Sequence, residues 1–231
     1  MDQIITLTDP NSPVAEAYRT LRINLEFASV DEPLRSLLVT SAGPGEGKST
    51  ALANLAVAMA DGDRTVILVD ADLRRPSQHE LFGLANEHGL SDMFRNEAAF
   101  NDPPLQSIPP GPYGGARTGN STLKVLTSGP LPPIPSQLLA ARKMDDVIAR
   151  LVEQADVVLF DAPPVVAVTD ASLLASKVDG VLLVVKAGDT RRDHVRAAKD
   201  RLEKVNARLV GAVLLNAPFD ASLQRYYTSA S

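Results

Sequence analysis

Apolar residues fall in short runs along most of this chain. Ser36–Thr40, Thr65–Val69, Leu123–Thr127, Val157–Phe160, Val181–Val185 and Leu209–Leu215 are rich in Val, Leu, Ile and Phe and mostly lack polar alternation. Segments near 47–60, 136–154, 169–176 and 191–206 instead carry helical patterns. Unbroken apolar strands joined by helices predict an α/β fold, with a mostly parallel central sheet covered by helices on both faces. A further helix is predicted over 12–29. Ser12 is its N-cap, Pro13 its first helical residue, and Val14, Tyr18, Leu21 and Leu25 share one face. Thr190 with Asp193 predicts a capping box opening the 191–206 helix.

Residues 95–121 break the pattern with Pro103-Pro104, Pro109-Pro110-Gly111-Pro112 and Gly114-Gly115. They read as a flexible insertion without assigned chemistry. Nothing indicates repeats or a second domain, so 1–231 reads as one domain ending in a polar tail, 220–231.

Composition narrows the function classes. A chain of 231 residues with 45% apolar content is large enough to bury a core without staples. A net charge of −5 argues against electrostatic nucleic-acid binding. The chain has no cysteine, which excludes disulfides and Cys-based zinc sites and fits a reducing cytoplasm. The polar N-terminus is unlike a signal peptide, and no apolar run approaches ~20 residues. Any membrane association must therefore come through a partner.

The chemistry enters at Ala42–Thr50, AGPGEGKST. An apolar strand precedes this loop and a helical pattern follows it. That order makes a phosphate cradle from inward-turned backbone N–H groups and a helix N-terminus. Gly43, Pro44, Gly45, Glu46, Gly47, Lys48, Ser49 and Thr50 form the candidate nucleotide loop. Lys48 would reach the β- and γ-phosphates and Ser49 would hold Mg²⁺. Ala42 stands where the strict motif has glycine.

Two other strands end in carboxylates. One closes on Asp70 and Asp72, the other on Asp161. Ligands of open parallel sheets bind beyond the carboxyl ends of the strands, so all three should gather near Lys48. Carboxylates beside a triphosphate imply Mg²⁺, and one of them could instead accept a proton from an attacking hydroxyl. Each could also simply cap a turn.

Gly43 occupies the place where many partitioning ATPases carry a second lysine, which weakens that class. Elsewhere the chain carries Glu16-Ala-Tyr-Arg19-Thr-Leu-Arg22, Leu73-Arg74-Arg75-Pro76 with His79 and Phe82, LKVLTSGPLPPIPSQLL (123–139), DAPPVVAVTDA (161–171), VVKAGDTRRDHV (184–195) and GAVLLN (211–216). Together with the loop, these residues resemble the bacterial tyrosine kinases of capsule and exopolysaccharide synthesis, from Glu16 to Tyr227.

The resemblance implies a phosphate-loop NTPase fold, ATP and Mg²⁺ as cofactors, and phosphoryl transfer to tyrosine. It implies catalytic roles for Lys48, Asp70 and Asp72, with one of the two aspartates activating the acceptor. It places Ser49, Asp72 and Asp161 at the metal and Asn216 at adenine; a turn asparagine is the plain alternative. Glu16, Arg19 and Arg22 match a motif through which family members assemble into rings; solvated intrahelical ion pairs are the alternative. Tyr226 and Tyr227 match the family's phosphoacceptor tail. The chain is similar to the separate cytoplasmic type, which a membrane protein of the polysaccharide co-polymerase kind recruits and activates. The alternative function is an ATP-dependent assembly switch of the same fold with little tyrosine transfer.

Overall fold

The apolar runs do not alternate because successive side chains point to opposite faces of a sheet that is covered on both. The computed structural model describes residues 4–28, 32–62, 64–109 and 122–218. Its elements in chain order are α1 (Ile5–Thr8), α2 (Pro13–Phe27), β1 (Ser36–Ser41), α3 (Lys48–Ala60), β2 (Thr65–Asp70) and α4 (Gln78–Phe82). Next come α5 (Leu90–Arg95), α6 (Glu97–Asn101), β3 (Gln106–Ile108), β4 (Thr122–Leu126), α7 (Pro135–Ala140) and α8 (Lys143–Val152). The chain then continues through β5 (Val157–Asp161), α9 (Asp170–Ala175), β6 (Gly180–Lys186), α10 (Arg192–Glu203) and β7 (Leu209–Leu215).

One side of the central strands presents Leu37, Val39, Val66, Leu68, Val157, Leu159, Leu182 and Val184 to a core shared with α1, α2 and α3. The other side presents Leu38, Ile67, Val69, Val158, Phe160, Val181 and Leu183 to a core shared with α5, α7, α8, α9 and α10. These central strands are apolar on both faces because helices cover both faces. Helix α3 is buried at every position from Ala51 to Ala60, which is why that stretch is apolar all round apart from Asn54, whose amide oxygen accepts from Thr6.

The sheet order is β3-β4-β2-β5-β1-β6-β7, parallel except for the short β3–β4 pair. This order positions the site. The strand carrying Asp161 lies between the strand feeding the nucleotide loop and the strand ending at Asp70. The register sets Asp70 beside Asp161 and Val39 beside Asp161.

Several expectations are corrected locally. The 95–121 stretch contains α6 and β3, so its first half is built into the fold; positions 110–121 lie outside the described residues. The 136–154 helix is two helices, because Ala141 adopts an extended backbone between them (φ −60°, ψ 146°). Ser12 caps α2 by accepting the Ala15 N–H, as the sequence predicts. The Thr190–Asp193 capping box does not form. Arg191 is the N-cap of α10, and the Thr190 hydroxyl donates to Glu46 instead. Tyr226 and Tyr227 lie outside the described residues. Among the described residues no helix is long and apolar enough to cross a membrane.

Candidate active site

The nucleotide loop leaves β1 and enters α3 through two left-handed glycines, Gly45 (φ 74°) and Gly47 (φ 81°). Side-chain-bearing residues rarely adopt that region, so the sequence spacing of glycine is what permits the turn. Ala42 is fully buried within the core beneath the loop, so its Cβ is accommodated where the strict motif has none. Glu46 turns its carboxylate to the Thr190 hydroxyl, which itself accepts the Lys186 N–H. Any part Glu46 plays in holding phosphate therefore falls to its backbone.

Lys48 opens α3, and its ammonium is surrounded by three oxygens. Asp72 Oδ2, Asp161 Oδ1 and Ser49 Oγ each lie 3.0 Å from Nζ. The lysine side chain is 11% exposed and Asp161 is fully buried. Burial works to lower the lysine pKa, but attraction to Asp161 and Asp72 and their hydrogen bonds outweigh it, and the net shift is upward. One ammonium thus faces two carboxylates in a low-dielectric pocket.

The two aspartates of the β2 end differ. Asp72 Oδ1 accepts the backbone N–H groups of Arg74 and Arg75, while Oδ2 faces Lys48. Asp70 Oδ2 accepts the N–H groups of Ser77 and Gln78 at 2.9 Å, so this aspartate does cap the chain entering α4. Its Oδ1 has no donor among the described residues. Burial, then repulsion from Asp161, pushes the Asp70 carboxyl up to about 8.

Two supporting residues are not predicted from the sequence. Gln78 is fully buried, and its amide NH₂ donates to Asp161 Oδ2 (2.7 Å) and to the Ser49 carbonyl (3.2 Å). Asp170, also fully buried, receives both Arg74 Nε (2.7 Å) and Arg74 Nη2 (3.0 Å). This fork fastens the turn after β2 to the start of α9 and raises the Arg74 pKa, chiefly through the hydrogen bond. Gln78 belongs to no motif, and Asp170 stands within the 161–171 segment without an assigned role; only the fold shows what each holds.

The donor set fits a divalent cation. Ser49, Asp72 and Asp161 already converge on one positive group, and two carboxylates with a hydroxyl suit Mg²⁺ when phosphates complete its shell. Among the described residues, no group of three or more His, Cys, Asp and Glu forms a self-sufficient metal cage.

Asn216 follows β7 in the left-handed region (φ 55°), which is the turn role the sequence allows. It also lines a mostly apolar groove of about 530 Å³ with Val14, Tyr18, Leu21 and Pro218. The neighbouring Leu215 packs against Gly47, so the groove adjoins the nucleotide loop.

Glu16, Arg19 and Arg22 lie on α2. Arg19 pairs with Glu16 at 2.8 Å and also donates to the Pro10 carbonyl. Arg22 reaches Glu26 at 3.5 Å and lies so close over Gly62 that a Cβ there would clash.

The chain is similar to several known proteins. The family described as ParA, NUBPL iron-transfer P-loop NTPase, matches residues 34–106. Tyrosine-protein kinase YwqD of Bacillus subtilis is 40% identical over 211 residues, covering 91% of this chain and 84% of that protein. The putative tyrosine-protein kinase CapB of Staphylococcus aureus is 35% identical over 218 residues, covering 94% and 91%. The crystal structure of the chimerical protein CapA2B2 superposes with a TM-score of 0.84 at 36% identity, over 95% of this chain and 92% of that one.

Proposed function

This chain belongs to the bacterial tyrosine kinases and is a protein-tyrosine kinase, and we propose that it uses ATP and Mg²⁺ to phosphorylate Tyr226 and Tyr227 in the tail of a neighbouring copy. The observation that carries this reading is the convergence of Asp72, Asp161 and Ser49 on the Lys48 ammonium, each at 3.0 Å. Phosphoryl transfer demands alignment and charge neutralisation more than covalent help.

Lys48 would hold the β- and γ-phosphates and offset their charge. The backbone of 43–50 would cradle them. Ser49, Asp72 and Asp161 would hold Mg²⁺, which supplies the remaining neutralisation. The apolar groove at Asn216 suits a purine ring, with the Asn216 amide as its polar contact.

A tyrosine hydroxyl has a pKa near 10 and needs help to lose its proton. Asp72 is committed to Lys48 and to two backbone N–H groups, whereas Asp70 keeps one oxygen without a donor among the described residues. Asp70 is therefore assigned as the proton acceptor. With its carboxyl at about 8, Asp70 accepts a proton only in its ionised form, whose share grows as pH rises towards that value.

Glu16, Arg19 and Arg22 are proposed to form the subunit contact of a ring, which would bring one tail to the next active site. Through a membrane-protein activator of the polysaccharide co-polymerase type, the enzyme would act at the inner face of the cell membrane and regulate capsule or exopolysaccharide synthesis and export. The family resemblance supports these last assignments.

The test is intact mass and phosphopeptide mapping after incubation with Mg-ATP, with and without the candidate membrane partner. Wild type, Lys48→Met and Tyr226→Phe/Tyr227→Phe are run together. Phosphate on the tail tyrosines of wild type alone is expected. ATP hydrolysis without phosphotyrosine, partner present, would replace tail phosphorylation with the assembly switch.

A further inference from the structure

Gln78 touches every strand-end motif of the site. Its backbone N–H reaches Asp70 Oδ2, and its side-chain NH₂ reaches Asp161 Oδ2 and the carbonyl of Ser49. Both side-chain partners are acceptors, so the orientation of the amide is set by the network. The carbonyl oxygen Oε1 then faces no donor among the described residues, in a side chain with no exposure. Leu or Met would fill the same space without burying an unmet acceptor. What only an amide supplies here is two N–H donors on one rigid plane, spaced to hold a carboxylate and a backbone carbonyl together.

We propose that Gln78 is a positioning residue for the divalent cation: it ties α3 to the end of β5 and so sets the spacing between Ser49 Oγ and Asp161 Oδ1. The proposal rests on the reading of Ser49, Asp72 and Asp161 as the Mg²⁺ oxygens. Partners that orient the ligands of a metal typically change its affinity 10–100-fold when removed.

The experiment measures binding of fluorescently labelled ADP, first in EDTA and then across a MgCl₂ titration. It compares wild type with Gln78→Met, which keeps the bulk, and Gln78→Glu, which keeps the shape but removes both donors. Urea denaturation identifies whichever variant keeps the fold. The Mg²⁺ midpoint should rise at least about tenfold in the folded variant, while ADP affinity in EDTA stays within about twofold of wild type. An unchanged Mg²⁺ midpoint, or an equal loss in EDTA, overturns the positioning role. A wild type whose ADP affinity ignores Mg²⁺ overturns it too, by removing the cation site beneath it. None of these outcomes depends on tyrosine transfer, so failure of the tail as acceptor appears separately in the phosphopeptide map.

Discussion

The carboxyl end of the sheet and the outer face of α2 both set a basic side chain about 3 Å from a carboxylate, yet the pairs are not equivalent. At the sheet end, Lys48 and Asp161 are 11% and 0% exposed. On α2, Arg19 and Glu16 are 35% and 45% exposed. Water screens the second pair and lets it part at little cost. The first pair sits where unpaired charge is expensive, so its members hold one another in place. The buried cluster also carries an imbalance that no surface pair would retain. One ammonium faces two carboxylates, a third carboxylate stands alongside, and an acceptor oxygen is left over. Buried, unbalanced charge of this kind is characteristic of functional sites.

Breaking the buried pair gives the largest expected effect. Lys48→Met leaves Asp72 and Asp161 without their cation and should lower folding stability by about 3–5 kcal/mol at neutral pH, read from urea denaturation. Tail phosphorylation should fall at least 10²–10³-fold, the order of magnitude for losing one charge-stabilising group. A variant as stable as wild type would mean that the carboxylates are solvated after all.

Arg74→Ala probes the bridge between these extremes, since its guanidinium is 41% exposed while Asp170 is buried. Leaving Asp170 without its fork should cost about 1.5–3 kcal/mol. Asp170→Asn should recover part of that loss in the double variant, because it removes the stranded charge. Thermal denaturation of the four proteins of this cycle checks both points.

Asp70 sharpens the comparison through pH. Its carboxyl rises from an ordinary 3.8 to about 8 in the folded chain. Between those values the folded state keeps a proton that the unfolded state has released. The Asp70 contribution to stability is therefore fullest below 3.8 and is lost as pH climbs to about 8. In mid-window the slope approaches about 1.4 kcal/mol per pH unit. Asp70→Asn should flatten the decline and gain stability relative to wild type near pH 8. Parallel stability–pH curves for the two proteins would remove this account of Asp70. If Asp70 is the base, the same variant should also lose the ascending limb of the pH–rate profile for tail phosphorylation.

On α2 the expected effect on the fold is smallest. Glu16→Ala should cost about 0.3–0.5 kcal/mol, and less in high salt. The informative readout there is mass: Arg19→Ala with Arg22→Ala should shift the assembly towards monomer in light scattering. Unchanged mass would leave these residues as an intrahelical network.

The legible part of the site lay where local physics is sufficient. GEGKST between a strand and a helix specifies its own turn, because left-handed glycines and a helix N-terminus are local features. Asp70, Asp72 and Asp161 were legible because each ends an apolar run. Gln78 and Asp170 were not, because their partners lie 83 and 96 positions away in the chain. The capping box expected at Thr190 failed for the same reason. The Glu46 carboxylate, 144 positions away, captured the hydroxyl that a local rule had assigned to α10.

Apolar runs, helical periods, glycine spacing and a phosphate-loop motif thus determined the α/β class, the strand ends and the type of chemistry from the sequence alone. Each depends on interactions within a few residues or on the need to cover apolar surface. The tertiary structure alone decided the strand order that inserts Asp161 between the nucleotide loop and Asp70. It also decided the separate duties of Asp70 and Asp72, and the recruitment of Gln78 and Asp170. Those outcomes depend on burial and on contacts across the sheet, where low dielectric turns the placement of a few charges into a choice of role.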